Sequence, residues 1–223
     1  DLLGQKYSNN RYFVFRHGRS MRQVKKIASC WPERIPLPLT EDGKKEVEIS
    51  AKKLAKEKID LIIASDLLRT KETARIISKI TGAKIIYDKR LREVNVGIFN
   101  GQDPKKFWDC IAQRGDRFNA RPAGGESLAA VRRRMCGCLG EIDKKYEGKN
   151  IVLVSHELPL TILEHTLKGV DLPRIIDDRC AGKIKKINTG RFRPIEFKQL
   201  PLNDKAEIDL HRPYIDNIKP LCP

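Results

Sequence analysis

The stretch YFVFRHG at residues 12–18 decides how the rest of the chain is interpreted. Its first four residues form a short apolar run, rich in aromatic and β-branched side chains, which is typical of a buried strand. The run ends abruptly at Arg16, His17 and Gly18. The predicted strand therefore brings a cation, an imidazole and a flexible glycine to one point, a combination that suits binding a phosphate group and attacking it.

Predicted strands and helices alternate along the chain, which favours an α/β fold with a mostly parallel sheet. Further strand-like runs occupy residues 61–64, 84–87 and 151–154, and a candidate edge strand covers 191–197. Helical patterns cover about 40–58, 69–80, 126–146 and 159–167. Residues 100–124 carry scattered aromatics, a proline and paired glycines, and we expect an irregular, lid-like excursion there.

Length and charge leave several partner classes open. The 223 residues suffice for one substantial α/β domain, or for one domain with an appendage. A net charge of +16, from 45 Lys and Arg against 29 Asp and Glu, fits a polyanionic partner or phosphorylated substrates. It fits equally well a general lysine bias, because the lysines are scattered along the predicted helices.

No apolar run approaches the ~20 residues that span a bilayer, so we expect no membrane association. The polar start shows no secretory signal, which predicts a cytoplasmic location. The six cysteines have no CxxC spacing, and we expect reduced thiols, no zinc and no other metal. The first residue is Asp rather than Met, which we interpret as the mark of an excised piece.

Polar side chains follow three of the predicted strands. Arg16 and His17 follow the first, Ser65 follows the second with Arg69 four residues on, and His156 follows the strand 151–154. Ligands in open α/β sheets bind at the carboxyl ends of the strands. We therefore expect two histidines and two arginines to converge on one crevice.

These residues belong to five ordered motifs that resemble the histidine phosphatase superfamily, the group that includes the phosphoglycerate mutases. The resemblance covers about residues 9–200 and implies a three-layer α/β sandwich. The motifs are Arg16-His17-Gly18 with Ser20, Ser65-x-x-x-Arg69-x-x-x-Thr73-Ala74, Leu91-Arg92-Glu93 with Gly97 and Gly101, Gly124-Gly125-Glu126-Ser127, and Val154-Ser155-His156.

The resemblance implies a role for each motif residue. His17 would attack phosphorus to form a phosphohistidine, Arg16, Arg69 and His156 would bind the phosphoryl oxygens, and Glu93 would act as the acid and base. No cofactor is implied, and the substrate would be a phosphorylated small molecule. The chain lacks the Arg-His-Tyr-Gly continuation that mutases carry near this point, which favours hydrolysis.

Several residues near these motifs are candidates for substrate binding. Ser20 stands where the family often has Thr, and Gln23 where it often has Asn. Glu126 and Ser127 open a helix whose amino end could attract an anion or could simply start the helix. Glu157 follows His156 where the family usually has Gly. A carboxylate aimed at the pocket would repel phosphate, so we expect Glu157 to point away.

The sequence of residues 201–223 predicts an extended arm, separate from the domain at 9–200. Its stretch DLHRPYID at residues 209–216 resembles a segment of isoleucyl-tRNA synthetases that links the editing region to the catalytic core. The resemblance implies a phosphatase-type domain inserted in, or fused to, such a synthetase, with tRNA as a partner. This piece lacks the nucleotide-binding signatures needed to aminoacylate by itself.

Two hypotheses follow. In the first, the domain is an active phosphomonoesterase that uses His17. In the second, it is a weakly active or inactive phosphatase-fold module that contributes to tRNA binding or to the architecture of a synthetase.

Overall fold

A five-stranded sheet lies between two layers of helices in the computed structural model, which describes residues 8–112 and 118–196. The strands are β1 (Arg11–Arg16), β2 (Leu61–Ala64), β3 (Lys84–Tyr87), β4 (Asn150–Ser155) and β5 (Phe192–Pro194). Their order is β3-β2-β4-β1-β5, and β5 pairs antiparallel with β1 while the other pairs are parallel. The predicted α/β fold with a mostly parallel sheet is confirmed.

Helices connect the parallel strands and cover both faces of the sheet. They are α1 (Met21–Lys25), α2 (Glu41–Leu54), α3 (Leu68–Thr81), α4 (Pro104–Ala112), α5 (Leu128–Lys145), α6 (Glu157–Leu167) and α7 (Leu172–Cys180). Helix α2 starts where the sequence predicted, since the Thr40 hydroxyl accepts a hydrogen bond from the backbone N–H of Gly43 at 3.0 Å. None of the described helices is long and apolar enough to cross a membrane.

Alternate residues of each strand face opposite helical layers, as the two-residue period of a strand requires. One face packs on α2 and α3 and includes Phe13, Phe15, Ile62, Val152 and Val154. The other packs on α5 and α6 and includes Tyr12, Val14, Ile63, Ile151 and Leu153. Burial on both faces explains why β1, β2 and β4 are apolar along nearly their whole length.

The segment 100–124 is more regular than expected. It contains helix α4, whose Phe107 and Ile111 lie four residues apart on one face and are buried in the core. Helix α7 was also missed, although Pro173 in its first turn is a recognised start signal. The predicted domain limits of 9–200 stay a prediction, and the arm at 201–223 lies outside the described residues.

Candidate active site

Two histidines meet at the carboxyl edge of the sheet. Arg16, at the end of β1, pairs in register with Ser155 at the end of β4, so the residues that follow them emerge side by side. These residues are His17 and His156, whose ring centroids are 5.2 Å apart. Both side chains are fully buried. The structure thus brings together the two histidines that the sequence placed at strand ends.

The ring of His17 is oriented by the residue that follows it. Its Nδ1 lies 2.8 Å from the carbonyl oxygen of Gly18, and a carbonyl can only accept, so Nδ1 carries the proton. The other nitrogen, Nε2, then has a free lone pair. Gly18 is required here, because a Cβ atom would lie 2.6 Å from the Gly43 carbonyl oxygen.

His156 is oriented by Ser65, at the end of β2. The Ser65 hydroxyl lies 3.0 Å from Nε2 of His156 and 3.5 Å from the backbone nitrogen of Leu67, which can only donate. The hydroxyl hydrogen has no other acceptor among the described residues, so we assign the hydroxyl as acceptor from Leu67 and donor to Nε2. This assignment leaves the Nδ1 hydrogen of His156 free to donate to a ligand.

Both imidazoles are kept neutral by their surroundings. Burial is the main reason why the pKa of His17 and the pKa of His156 lie well below the ordinary histidine value, and the charge of Arg69 lowers both further. A neutral His17 is the form that can act as a nucleophile.

Two arginines from the motifs are fixed by hydrogen bonds that leave part of each guanidinium free. Arg69 is fully buried and donates to a carboxylate oxygen of Glu33 at 2.8 Å and to the carbonyl oxygen of Ser29 at 3.1 Å. Arg16 donates from Nη1 to the carbonyl oxygen of Ile187 at 2.8 Å. Both guanidinium groups are thus held in place before any ligand binds.

Buried polar nitrogens without a partner concentrate at this site. Among the described residues, the buried side-chain N and O atoms that lack a hydrogen bond are Nε of Arg16, Nε of Arg22, Nε2 of Gln23, Nε of Arg69 and Nδ1 of His156. All of them can donate. Buried donors are normally satisfied, so a cluster of unsatisfied ones indicates a binding site for an anion with several oxygens.

Ser20 and Gln23 play unequal parts in this cluster. The Gln23 side-chain oxygen accepts hydrogen bonds from the backbone N–H of Ser20 at 3.0 Å and from its hydroxyl at 2.7 Å. Its amide nitrogen is buried without a hydrogen-bond partner, so it is available to donate to a ligand. Ser20 is fully buried and acts by orienting Gln23.

Glu93 lies on the wall of a cavity that Arg22 and Ser29 also line. Its negative charge is the largest opposing influence on Arg69, whose pKa is lowered to about 10 by burial. Arg69 therefore stays charged at neutral pH, and a carboxylate lies within electrostatic reach of the cluster of donors.

Glu126 and Ser127 do not line the cavity. The Glu126 carboxylate accepts from Arg134 at 2.8 and 3.0 Å and from the backbone N–H of Asn95 at 2.8 Å. Arg134 also donates to the carbonyl oxygen of Glu93 at 3.3 Å. Ser127 caps the amino end of α5 through its hydroxyl. Glu126 thus supports the loop that carries Glu93, and Ser127 starts the helix.

Glu157 was expected to point away from the phosphate pocket. It lines a cavity with Glu93 that includes none of Arg16, His17, Arg69 and His156. It pairs with Arg179, donor to acceptor distances being 2.5 and 3.2 Å, and both side chains are 13% exposed. Helix α7 places Arg179 beside the first turn of α6, and the ion pair holds the Glu157 carboxylate at the cavity wall.

No metal-binding group of three or more His, Cys, Asp or Glu occurs within residues 8–112 and 118–196.

The comparison with protein families agrees with this geometry. The family model described as histidine phosphatase superfamily (branch 1) matches residues 12–194. The chain belongs to the histidine phosphatase superfamily. The matched range contains all the motif residues described above and ends before the segment 201–223.

Relatives in this superfamily carry more than one activity in their names. Phosphoserine phosphatase 1 from Hydrogenobacter thermophilus is 32% identical over 147 residues, covering 64% of this chain and 70% of that protein. A Yersinia enterocolitica protein named "Probable phosphoglycerate mutase GpmB" is 32% identical over 163 residues, covering 71% and 74%. Among solved structures, Bacillus stearothermophilus YhfR has a TM-score of 0.71 at 22% identity, covering 93% of this chain and 100% of that one, which supports the fold.

Membership of the histidine phosphatase superfamily supports phosphoester hydrolysis in general. It does not test the other expectations from the sequence. The resemblance of residues 209–216 to isoleucyl-tRNA synthetases lies outside both the described residues and the family match. The synthetase link, the excised-piece interpretation, the tRNA partner and the cytoplasmic location therefore stay predictions.

Sequence reasoning missed several residues that the structure places at the site. Arg22 lies between the two candidates Ser20 and Gln23, and this position was the available signal. Glu33 and Ser29 hold Arg69 from a loop about 40 residues earlier, and Arg179 comes from a missed helix. No local pattern marks these three, because their roles depend on long-range packing.

Proposed function

We propose that this chain hydrolyses phosphate monoesters of small molecules through a phosphohistidine on His17. The observation that carries the proposal is the cluster of buried, unpartnered donors around the neutral imidazole of His17. Such preorganised donors match the equatorial oxygens of a transferring phosphoryl group, and each can be worth several kcal/mol, roughly 2.7–4 in a comparable oxyanion site.

In the first step, Nε2 of His17 forms a bond to phosphorus while the bond from phosphorus to the ester oxygen breaks. Arg16, Arg69 and His156 bind the phosphoryl oxygens, and Arg22 and Gln23 add donors that the motifs did not include. Glu93 in its protonated form gives its proton to the departing alcohol oxygen, which leaves Glu93 ionised.

In the second step, water replaces the alcohol. The Glu93 carboxylate takes a proton from water as its oxygen attacks phosphorus, the bond from His17 to phosphorus breaks, and inorganic phosphate forms. The electron pair returns to Nε2, so His17 regains its starting form. The lack of the mutase-type Arg-His-Tyr-Gly sequence supports water rather than a second sugar phosphate as the acceptor.

Turnover of p-nitrophenyl phosphate by wild type and His17→Ala tests the proposal. The control is His165→Ala, since His165 bonds through Nδ1 to the Thr161 carbonyl oxygen on α6, away from the donor cluster. We expect His17→Ala to abolish turnover and His165→Ala to retain it. Rapid quenching should trap an acid-labile, base-stable phosphoprotein in wild type and His165→Ala only. Wild-type activity equal to that of His17→Ala across a panel of phosphate esters contradicts the proposal.

A second proposal rests on the sequence alone. The net charge of +16 and the synthetase-like stretch at 209–216 support contact with tRNA, as part of an isoleucyl-tRNA synthetase assembly. Electrophoretic mobility of tRNA with the chain over a salt series tests it. Binding that weakens steeply with salt supports the proposal, and the absence of binding at low salt refutes it.

A further inference from the structure

The wall of the cavity beside the donor cluster carries a carboxylate that the proposed chemistry does not use. Glu157 lines the cavity together with Glu93, Arg22, Trp108 and its own partner Arg179. It directly follows His156, so it lies next to the place where a phosphoryl group would bind. Arg22, one of the unpartnered donors, lines the same cavity, so we assign this cavity to the leaving group of a bound ester.

Glu157 is ionised and fixed in position. Arg179 donates to both of its carboxylate oxygens, and the Thr161 hydroxyl donates to one of them at 3.3 Å. Arg179 is itself held, with its guanidinium carbon 4.8 Å from the centre of the Trp108 ring. Glu157 also occupies the first turn of α6, where the helix dipole favours a negative charge. Burial raises the pKa of Glu157, but the hydrogen bonds and charge of Arg179, with the charge of Arg16, outweigh it and keep that pKa below its ordinary value.

The charge of Glu157 is felt inside the phosphate site even though Arg179 pairs with it. Among neighbouring charges, Glu157 has the largest influence on the pKa of Arg16 and raises it more than Glu93 does. A second anionic group on the substrate would approach this carboxylate at the cavity wall and be repelled. A cationic group would be attracted and could use the one lone pair, on Oε2, that Arg179 and Thr161 leave open.

We propose that Glu157 selects phosphate monoesters whose alcohol carries an ammonium group, by receiving that group at the cavity wall. The proposal rests on the proposed phosphatase function and names its substrate class. The three arginines around the phosphate would otherwise favour leaving groups with additional negative charge. Glu157 reverses that preference on the leaving-group side of the cavity only.

Three small esters of similar size isolate the effect of charge. O-phosphoethanolamine carries an ammonium group, n-propyl phosphate replaces that nitrogen with a methyl carbon, and 2-phosphoglycolate carries a carboxylate. We expect wild type to show kcat/KM at least about tenfold higher for O-phosphoethanolamine than for n-propyl phosphate, a difference of about 1.4 kcal/mol, with 2-phosphoglycolate the poorest.

Glu157→Gln keeps the size of the side chain and removes its charge, so the ratio of kcat/KM between the first two esters should fall at least about fivefold, toward the value set by the two leaving alcohols alone. The matched control is Glu164→Gln. Glu164 lies on the same helix, is itself buried, and pairs with Arg193 through two hydrogen bonds at 2.6 and 2.7 Å, but it does not line the cavity. The Glu164→Gln variant should keep the wild-type ratio. A purely structural role for Glu157 would lower kcat/KM for all three esters by the same factor.

A wild-type ratio near one, or a Glu157→Gln ratio equal to that of wild type, overturns the proposal. If Glu157→Gln does not fold, Glu157→Ala gives the second test, because it also removes the charge; a ratio equal to that of wild type refutes the inference. Calorimetric binding of the three esters to His17→Ala measures selectivity without turnover. Failure of wild type to hydrolyse any ester then counts against the proposed function, while equal affinities count against the role of Glu157.

Discussion

Truncating Glu126 should damage both stability and proton transfer, although Glu126 does not line the cavity. Its carboxylate accepts from Arg134 twice and from the Asn95 backbone once. Arg134 in turn donates to the backbone carbonyl oxygen of Glu93. The substitution Glu126→Ala therefore releases the loop on which the proposed acid, Glu93, is carried.

The expected loss of stability follows from the burial of the pair. The side chains of Arg134 and Glu126 are 17% and 21% exposed, so the pair lies between two reference cases. Breaking a fully buried ion pair costs about 3–5 kcal/mol, whereas an exposed ion pair contributes about 0–1 kcal/mol. The lost bond to Asn95 adds about 1 kcal/mol. We expect a total of about 2–3 kcal/mol, or a fall in Tm of about 4–12 °C for a domain of this size.

The expected loss of activity depends on the leaving group. A general acid contributes about 10²- to 10⁴-fold, and a displacement of about 1 Å can cost about 10²-fold. An alkoxide needs the proton from Glu93, whereas p-nitrophenolate is weakly basic and leaves with little help. Glu126→Ala should therefore lower kcat/KM for n-propyl phosphate by about 10²-fold and for p-nitrophenyl phosphate by less than about tenfold.

Steady-state kinetics with the two esters, together with thermal unfolding, provides the assay. Glu141→Ala is the matched control, because Glu141 also pairs with an arginine near this loop, Arg90, but its side chain is 70% exposed. That variant should change stability by less than about 0.5 kcal/mol and leave the kinetics unchanged. Equal losses for both esters in Glu126→Ala, or no loss of stability, refute the reasoning. Glu93→Gln should show the same dependence on the leaving group. Equal losses for the two esters in this variant would show that Glu93 is not the acid.

Three further outcomes are expected. Arg69→Lys should lower kcat/KM for p-nitrophenyl phosphate by roughly 10²- to 10³-fold, because one ammonium replaces a forked donor, and a smaller loss than tenfold contradicts this. Ser65→Ala should lower kcat while the fold is kept, and nitrogen NMR should show loss of the Nδ1–H tautomer of His156; an unchanged tautomer argues against the assignment. The folded-state pKa values of His17 and His156 lie below the ordinary 6.5, so below that pH the unfolded chain binds more protons than the folded chain does. The free energy of unfolding should therefore fall as the pH decreases from about 6.5 toward the folded pKa values. Urea titrations should give a slope of up to about 2.7 kcal/mol per pH unit, and His17→Asn should reduce it by about half.

The sequence predicted the sheet well because its central strands are buried on both faces. The runs at 61–64 and 151–154 match β2 and β4 closely, since a continuous apolar stretch of this length fits a doubly covered strand. Helices α4 and α7 were missed because they are short and each buries only a few side chains. Helix α7 packs against α6, and α4 buries Phe107 and Ile111 in the core, and no single-sequence pattern records such long-range packing.

The residues of the candidate site also fall into two groups, those that the sequence located and those that only the fold brings close. His17, Ser65 and His156 were located because each directly follows a strand, and parallel strands end at one edge. The residues that orient the motif side chains come from distant segments, and only the fold brings them close. Glu33 reaches Arg69 across 36 positions, and the sequence gives no periodic signal for such a pair.

The direction of Glu157 illustrates what local reasoning omits. Electrostatic repulsion alone argued that a carboxylate beside a phosphate site should turn outward. Arg179 changes that balance, because it supplies a buried counter-charge and holds the carboxylate at the cavity wall. An ion pair in this position costs desolvation that an apolar or glycine residue would avoid. The pair is therefore weak evidence for stability of the fold, and the proposed contact of Glu157 with the leaving group would give it a functional reason.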